Sequence, residues 1–255
     1  MSDDAELLAD LWNEEVAQGY DEDSAYMYAP EVLDPTVEFL ARRAADGPAL
    51  EFAVGTGRVA LPLRARGVRV SGIEMSEPMA RRLRAKPGGE HVDVTIGDMA
   101  TTRVPGEFGL VYLVYNGISN LLSQDEQVEC FRNAARHLAP GGRFVIEVGV
   151  PDLQRLPPGE TARPFHIGRE HLGFDTYDLV NQRLVSHHYR IVEGHTATFR
   201  SPHRYVWPAE LDLMARLAGL IRTERWADWS ESPFTDTSTT QISVWQKPAA
   251  GSAPA

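Results

Sequence analysis

The stretch "EFAVGTGRVA", residues 51–60, places Gly55 and Gly57 directly after an apolar run and before a helix-like one. Glycines in such a turn let backbone approach a ligand closely, and the amides opening the next helix favour electron-rich groups. Glu74 closes the following apolar run, at a place where a carboxylate accepts hydrogen bonds from ribose hydroxyls. Together these residues describe a seat for the adenosine half of a cofactor. A second concentration of reactive groups lies in residues 151–207, which hold six of the eight histidines: His166, His171, His187, His188, His195 and His203. Imidazole titrates near neutral pH, so these are candidates for moving a proton.

Several elements must position these groups. Two helices precede the glycine turn. One spans about Ala5 to Gln18, with Leu7, Leu8, Leu11 and Trp12 on one stripe, and the other starts at Asp34-Pro35 as cap and first residue. A tyrosine-rich link, "GYDEDSAYMYAP", joins them. From residue 49 strands and helices alternate. "ALEFAV", "VRVSGIE", "VDVTIGD", "GLVYLVYN" and "RFVIEVGV" are strands one to five, Ser76 caps the helix "SEPMARRLRAK", and Ser123 with Glu126 forms a capping box. Apolar strands separated by helices predict a parallel sheet covered on both faces, a doubly wound α/β fold. Residues 151–207 break the alternation with four strand-like runs, an antiparallel β insertion after strand five. A helix from Pro208 to Gly219, two further strands and the tail "PAAGSAPA", expected to be disordered, end the chain.

The glycine turn alone fits two cofactors. Gly55, Gly57 and Ala60 match the G-x-G-x-x-A form of a dinucleotide fingerprint, and Glu51 through Gly57 equally match the turn that holds S-adenosylmethionine. Four ordered stretches favour the second. "EFAVGTG", "GIEMS", "IGDM" and "HLAPGGRFVIEV" resemble the first motif, the ribose site, the adenine corner and the approach to strand five of the class I S-adenosylmethionine-dependent methyltransferases of bacterial, small-molecule type. The likeness covers roughly residues 45–150 and the closing helix and strands. It implies a Rossmann-like sheet of seven strands, the last one antiparallel, with core residues 1–150 and 208–248, an N-terminal helical lid, an insertion at 151–207 and a tail at 249–255. Ala53 stands where the family often has a first glycine, and Gly109 where an Asp is usual before strand four.

Carried onto this sequence, the resemblance places Ala53, Gly55 and Gly57 at the methionine and ribose end of S-adenosyl-L-methionine, with Glu51 near its amino group and Glu74 on the ribose diol. Asp98 accepts from the adenine amino group, Met75 and Met99 sandwich the ring, and Val114 and Tyr115 lie beside the sulfonium. Each has a plainer use: core packing for the methionines, a turn cap for Asp98.

Methyl transfer needs the acceptor atom held in line with water excluded, and a base only if that atom carries a proton to lose. The lid tyrosines Tyr20, Tyr26 and Tyr28 and the end of strand four, with Asn116, Ser119 and Asn120, are the expected acceptor contacts, since ligands of open α/β sheets bind beyond the carboxyl ends of the strands. In the insertion, period-two alternation puts Val185, His187, Tyr189 and Ile191 on one face and His188 on the other. By the same parity Phe199, His203, Tyr205 and Trp207 make an aromatic wall with one titratable group in it. His187, His203 and Asn116 are the candidates for catalysis, and Tyr28, Asn116, Ser119, Asn120, Phe199 and Tyr205 for substrate contact. The same wall serves equally as packing against the main sheet or as a homodimer contact. No helix sets two histidines one turn apart, so no metal site is expected.

The formal charge of −11 repels a phosphate backbone, and "VYNGISN" lacks the Asn-Pro-Pro-Tyr or Asp-Pro-Pro-Tyr sequence with which nucleic-acid amino methyltransferases hold a flipped base. Nucleic acid is therefore not the expected partner. The sequence shows neither a signal peptide nor a membrane-spanning run, and with the single cysteine Cys130 no disulfide forms within the chain; a cytoplasmic location is expected. The expectation is a methyltransferase acting on an O, N or C atom of a small molecule, a specialised metabolite. An NAD-dependent oxidoreductase and a non-catalytic S-adenosylmethionine-binding module are the rivals.

Overall fold

The computed structural model describes residues 12–192 and 195–249. Residues 5–11 of the expected first helix and the tail beyond Ala249 lie outside them. Helix α1 runs Glu14–Asp23, capped by the Asn13 side chain on the Val16 amide at 3.0 Å. It continues past Gly19 into the stretch expected as a link, with Tyr20 and Asp21 turned inward and Glu22 and Asp23 exposed. A single 3₁₀ turn, Ala25–Tyr28, is all that remains of the link.

Helix α2, Pro30–Ala44, begins five residues before the expected start, with Ala29 and Pro30 in place of Asp34 and Pro35 as cap and first residue. Pro30 takes the first-turn place where a missing N–H costs nothing, which leaves Pro35 inside the helix. Then follow β1 (Ala49–Phe52), α3 (Ala60–Ala65), β2 (Val70–Glu74), α4 (Glu77–Ala85), β3 (Asp93–Ile96), β4 (Phe108–Leu113), α5 (Gln124–His137) and β5 (Leu138–Gly149). Ser76 caps α4, and the Ser123–Glu126 capping box opens α5. After the insertion come α6 (Pro208–Leu217), β10 (Ile221–Trp226) and β11 (Thr240–Gln246).

The main sheet has seven strands in the order β10-β11-β5-β4-β1-β2-β3. Strands β1 to β5 pair in parallel, and β11 enters antiparallel between β5 and β10. The reversed strand is the last of the chain, as expected. Alternate residues of β1 feed two separate cores. Leu50 and Phe52 join Phe131, Phe144 and Trp245 on the face covered by α5 and α6, and Ala49 joins Phe39, Leu40 and Leu63 under α2 and α3. The order of the strands reverses between β1 and β4, and the ligand crevice of such a sheet opens there, beyond their carboxyl ends.

The insertion is a four-stranded antiparallel sheet of β6 (Ala162–Ile167), β7 (His171–Asp178), β8 (Arg183–Val192) and β9 (His195–Arg204). Its base is fixed to the core by Arg204, a buried side chain that pairs with Glu210 at 2.7 Å and bonds Gln182 at 3.1 Å and Gln127. No helix among the described residues is long and apolar enough to cross a membrane.

Candidate active site

The chain leaves β1 through a left-handed turn. Ala53 has φ +53°, Gly55 +56° and Gly57 +83°. Ala53 thus takes the backbone that a glycine would adopt more easily, at a cost of about 1 kcal/mol, and its methyl faces the open side of the turn. At Gly57 a side chain would meet Leu83 of α4 at 2.9 Å, so close packing as well as dihedral angle selects glycine there.

Glu74 ties this turn to the end of β2. One carboxylate oxygen accepts the Gly55 amide at 2.7 Å and the other accepts the Ser76 amide at 2.8 Å. Burial raises its pKa, against the lowering effect of the Ser76, Gly55 and Met75 amides. Each oxygen retains a lone pair for a ligand. Glu51 sits one layer deeper. It is the cross-strand partner of Tyr112, whose hydroxyl donates to it at 2.8 Å, and burial pushes its pKa up to about 8 despite Tyr112 and the nearby Arg58.

Along the crevice, Met75 is open to solvent whereas Met99 is buried in the core under α5, so the two methionines are not equivalent walls. Asp98 caps its own turn through the Ala100 amide at 2.7 Å, which leaves its second oxygen uncommitted. The sequence pattern extends strand four to Asn116, but β4 stops at Leu113. Tyr115 and Asn116 both adopt left-handed backbone, φ +51° and +58°. The turn is held from β5: Glu147 accepts the Tyr115 amide at 2.8 Å, and the Asn116 side-chain oxygen accepts the Gly149 amide at 2.7 Å. Half-buried Val114 precedes the turn; a 3₁₀ turn, Gly117–Asn120, follows it, with Ser119 buried and Asn120 partly so.

The N-terminal segment closes over the glycine turn. Asp21 accepts from Thr56 Oγ1 and Tyr28 Oη, each at 2.6 Å, and pairs with Lys86 at 2.6 Å. Partial burial would raise the Asp21 pKa, but the Lys86, Thr56 and Tyr28 contacts outweigh it and hold it below its ordinary value. Tyr26 meets Tyr115 hydroxyl to hydroxyl at 3.0 Å. Burial and that contact raise the Tyr115 pKa, so its phenol stays protonated.

The structure separates the two candidate catalytic histidines. Tyr115 and Asn116 lie at the crevice, but His187 faces the outer side of the insertion, stacked on Phe174 at 4.7 Å and bonded to Thr176 at 3.0 Å. His203 faces the inner side, and its Nε2 meets Ser201 Oγ at 2.6 Å. Burial and His188 push its pKa down to about 4, so it is a neutral imidazole at pH 7. Phe199 shares that inner face beside His188 at 5.6 Å, whereas Tyr205 is buried at the base and Trp207 lies beyond the strand. Among the described residues no group of three or more His, Cys, Asp or Glu side chains has the arrangement to hold a metal ion.

Three features of the site escape sequence pattern. Arg58, inside the opening motif, lies 5.5 Å above the Tyr115 ring, and no carboxylate of the described residues closes on it as an ion pair. Its place in the motif was the only available signal. The Asp21–Thr56–Lys86 latch and the Glu147 contacts, which include Trp229 at 2.9 Å, join residues dozens of positions apart and leave no local trace.

A strand order with one reversed strand next to β5, a left-handed glycine turn and a carboxylate ending β2 define the class I methyltransferase architecture, with a seat for an adenosyl cofactor. Residues 49–142 match the family model of the methyltransferase domain. The CcbJ methyltransferase from Streptomyces caelestis is 38% identical, with a TM-score of 0.76 over 84% of this chain and 89% of its own. The cypemycin N-terminal methyltransferase of a Streptomyces species is 28% identical over 240 residues, 89% of this chain and 97% of its own. A dTDP-4-amino-2,3,4,6-tetradeoxy-D-glucose N,N-dimethyltransferase from Saccharopolyspora spinosa is 33% identical over 99 residues, 38% and 39% of the two chains. The chain belongs to the S-adenosylmethionine-dependent methyltransferases, and S-adenosyl-L-methionine is its cofactor.

The residues present fit that group. Ala53 leaves the turn open, Glu74 keeps lone pairs for a diol, and Arg58, without an ion-pair partner among the described residues, offers a cation for a carboxylate.

Proposed function

We propose that this enzyme methylates an amine nitrogen of a small molecule. The observation that carries the reading is the chemistry around the strand-four turn. Its carboxylate, Glu147, is committed to the Tyr115 amide and Trp229, its amide oxygen on Asn116 to Gly149, and its Tyr115 phenol is held protonated by burial and by the Tyr26 contact. An amine presents a lone pair and needs no base at the moment of attack, whereas a hydroxyl acceptor does. The amino-sugar relative is an N,N-dimethyltransferase, which also favours nitrogen.

Bound S-adenosyl-L-methionine supplies an electrophilic methyl group on a sulfonium. In this reading Glu74 accepts from the ribose hydroxyls, Asp98 from the adenine amino group, and Met75 and Met99 flank the ring. Arg58 pairs with the methionine carboxylate and Glu51 with its ammonium. Tyr28 and Asp21 hold the lid on the glycine turn, so water is kept from the crevice while Tyr115 and Asn116, with Ser119 and Asn120 behind them, orient the acceptor. His203, as a neutral imidazole beside Phe199, contributes to the acceptor wall. His187 belongs to the outer face, where exposed Leu172, Tyr189 and Ile191 suit a contact with a second copy of the chain.

The test is turnover with S-adenosylmethionine and matched acceptors that present a primary amine, a secondary amine or a hydroxyl on the same body, with the product mapped by mass spectrometry and NMR. Transfer to nitrogen is expected. Methylation of the hydroxyl partner in preference to the amines would overturn the assignment.

A further inference from the structure

We propose that Asp175, on the inner face of the insertion sheet, is a specificity residue that receives an ammonium group of the acceptor distinct from the neutral amine nitrogen that takes the methyl. The proposal rests on the methyl-transfer reading above and adds the site that selects a cationic molecule.

The register fixes which side chains share that face. Tyr177 and Asp175 of β7 lie opposite Leu184 and Ser186 of β8, which in turn lie opposite His203 and Ser201 of β9. Two anchors show where the face points. At the base, Gln127 bonds the carbonyl oxygens of Arg204 at 3.3 Å and Ile118 at 3.1 Å, which seats β9 against the 3₁₀ turn after Tyr115 and Asn116. Toward the tip, Arg190 of the same face reaches Asp23 at 3.4 Å, two residues along α1 from the Asp21 latch. A face tied at one end to the strand-four turn and at the other to the lid spans the mouth of the crevice.

Among the described residues on that face of β7, β8 and β9, Asp175 is the single acid. Ser186 donates to its Oδ1 at 2.6 Å and the Tyr177 hydroxyl reaches Oδ2 at 3.4 Å. Both contacts leave the charge in place and aim it. Burial raises its pKa, opposed by Ser186, Tyr177, His187 and Arg163; Arg163, its cross-strand partner on β6, also reaches Asp152 at 3.5 Å. Aromatic rings stand along the same face: His188 lies 5.1 Å from Phe165 and 5.6 Å from Phe199. A half-buried carboxylate among aromatic edges and faces recognises a cation on an apolar body, through a charge-assisted hydrogen bond and through the rings. Neutral and anionic acceptors gain neither.

Tyramine and tyrosol, which differ in an ammonium against a hydroxyl, test this by calorimetry on the full chain saturated with S-adenosylhomocysteine. Tyramine is expected to bind about tenfold more tightly than tyrosol, the scale of one charge-assisted contact. Asp175→Asn should remove the preference while S-adenosylhomocysteine affinity stays unchanged. Asp175→Ser, a smaller neutral replacement, should likewise remove the preference and covers the case in which Asp175→Asn fails to fold. Failure to bind S-adenosylhomocysteine at all would count against the methyl-donor reading. Normal binding of it with equal affinity for the two amphiphiles, with no binding of either, or with the preference intact in Asp175→Asn, would overturn the role of Asp175.

Discussion

Glu74→Gln is normally read as a gentle change, and here it should not be. The two carboxylate oxygens of Glu74 accept the Gly55 and Ser76 amides at 2.7 and 2.8 Å. A glutamine has one oxygen, so its NH2 must face one of these N–H groups, donor against donor. Leaving a buried donor unsatisfied costs about 1–3 kcal/mol. That penalty falls on the free protein, and near 2 kcal/mol it lowers the melting temperature of a chain this size by about 4–8 °C. Loss of the charge on the ribose side removes a further 1.5–3 kcal/mol, roughly, in the complex alone, a weakening of cofactor binding by about 10- to 150-fold. Differential scanning calorimetry reads the first effect and titration calorimetry with S-adenosylhomocysteine the second. Glu74→Ala removes both acceptors and should weaken binding at least as much. A glutamine variant with unchanged melting temperature would refute the two-amide geometry, and one with cofactor affinity within about twofold of the parent would remove Glu74 from the ribose site.

Two other outcomes concern proton and lid. Glu51, with a pKa raised to about 8, favours its protonated form in the free protein, so its contribution to stability is complete below the ordinary carboxylate range and is lost as pH rises through about 8. Pairing with the cofactor ammonium requires the carboxylate. Cofactor binding near pH 7 should therefore release a proton, seen as a buffer-dependent heat that Glu51→Gln abolishes; no release would separate Glu51 from the amino end. Asp21, whose pKa is depressed, keeps its latch above the ordinary carboxylate range and loses it only as pH falls through its lowered value. Asp21→Asn turns an amide NH2 toward Lys86 or Thr56 and should raise amide hydrogen exchange in residues 20–28 and weaken cofactor binding by about tenfold; equal exchange would mean that the segment is held by packing alone.

The sequence determined the strand–helix alternation, the glycine turn, Glu74 at the close of the second strand and the β insertion, because each rests on periodicities and turn residues that operate within a few positions of one another. The cap at Ser76 and the capping box at Ser123 belong to the same class. Helix starts were less legible. Pro30 and Pro35 both suit a first turn, and the helix takes the earlier one, with the Val32 and Leu33 amides bonding the Ala29 carbonyl. The strand-four turn looked like continued strand because Val114 and Tyr115 favour strands locally, and the carboxylate that bends it comes from Glu147 on a neighbouring strand. Parity within a strand put His187 and His188 on opposite faces, but which face looks toward the crevice depends on Arg190 meeting Asp23 and on Gln127 holding the base of β9. Tertiary structure alone therefore decided that His203 and Asp175 share the face on which Arg190 meets Asp23 while His187 lies on the opposite one, since a strand's two faces are equivalent until something distant packs on one of them.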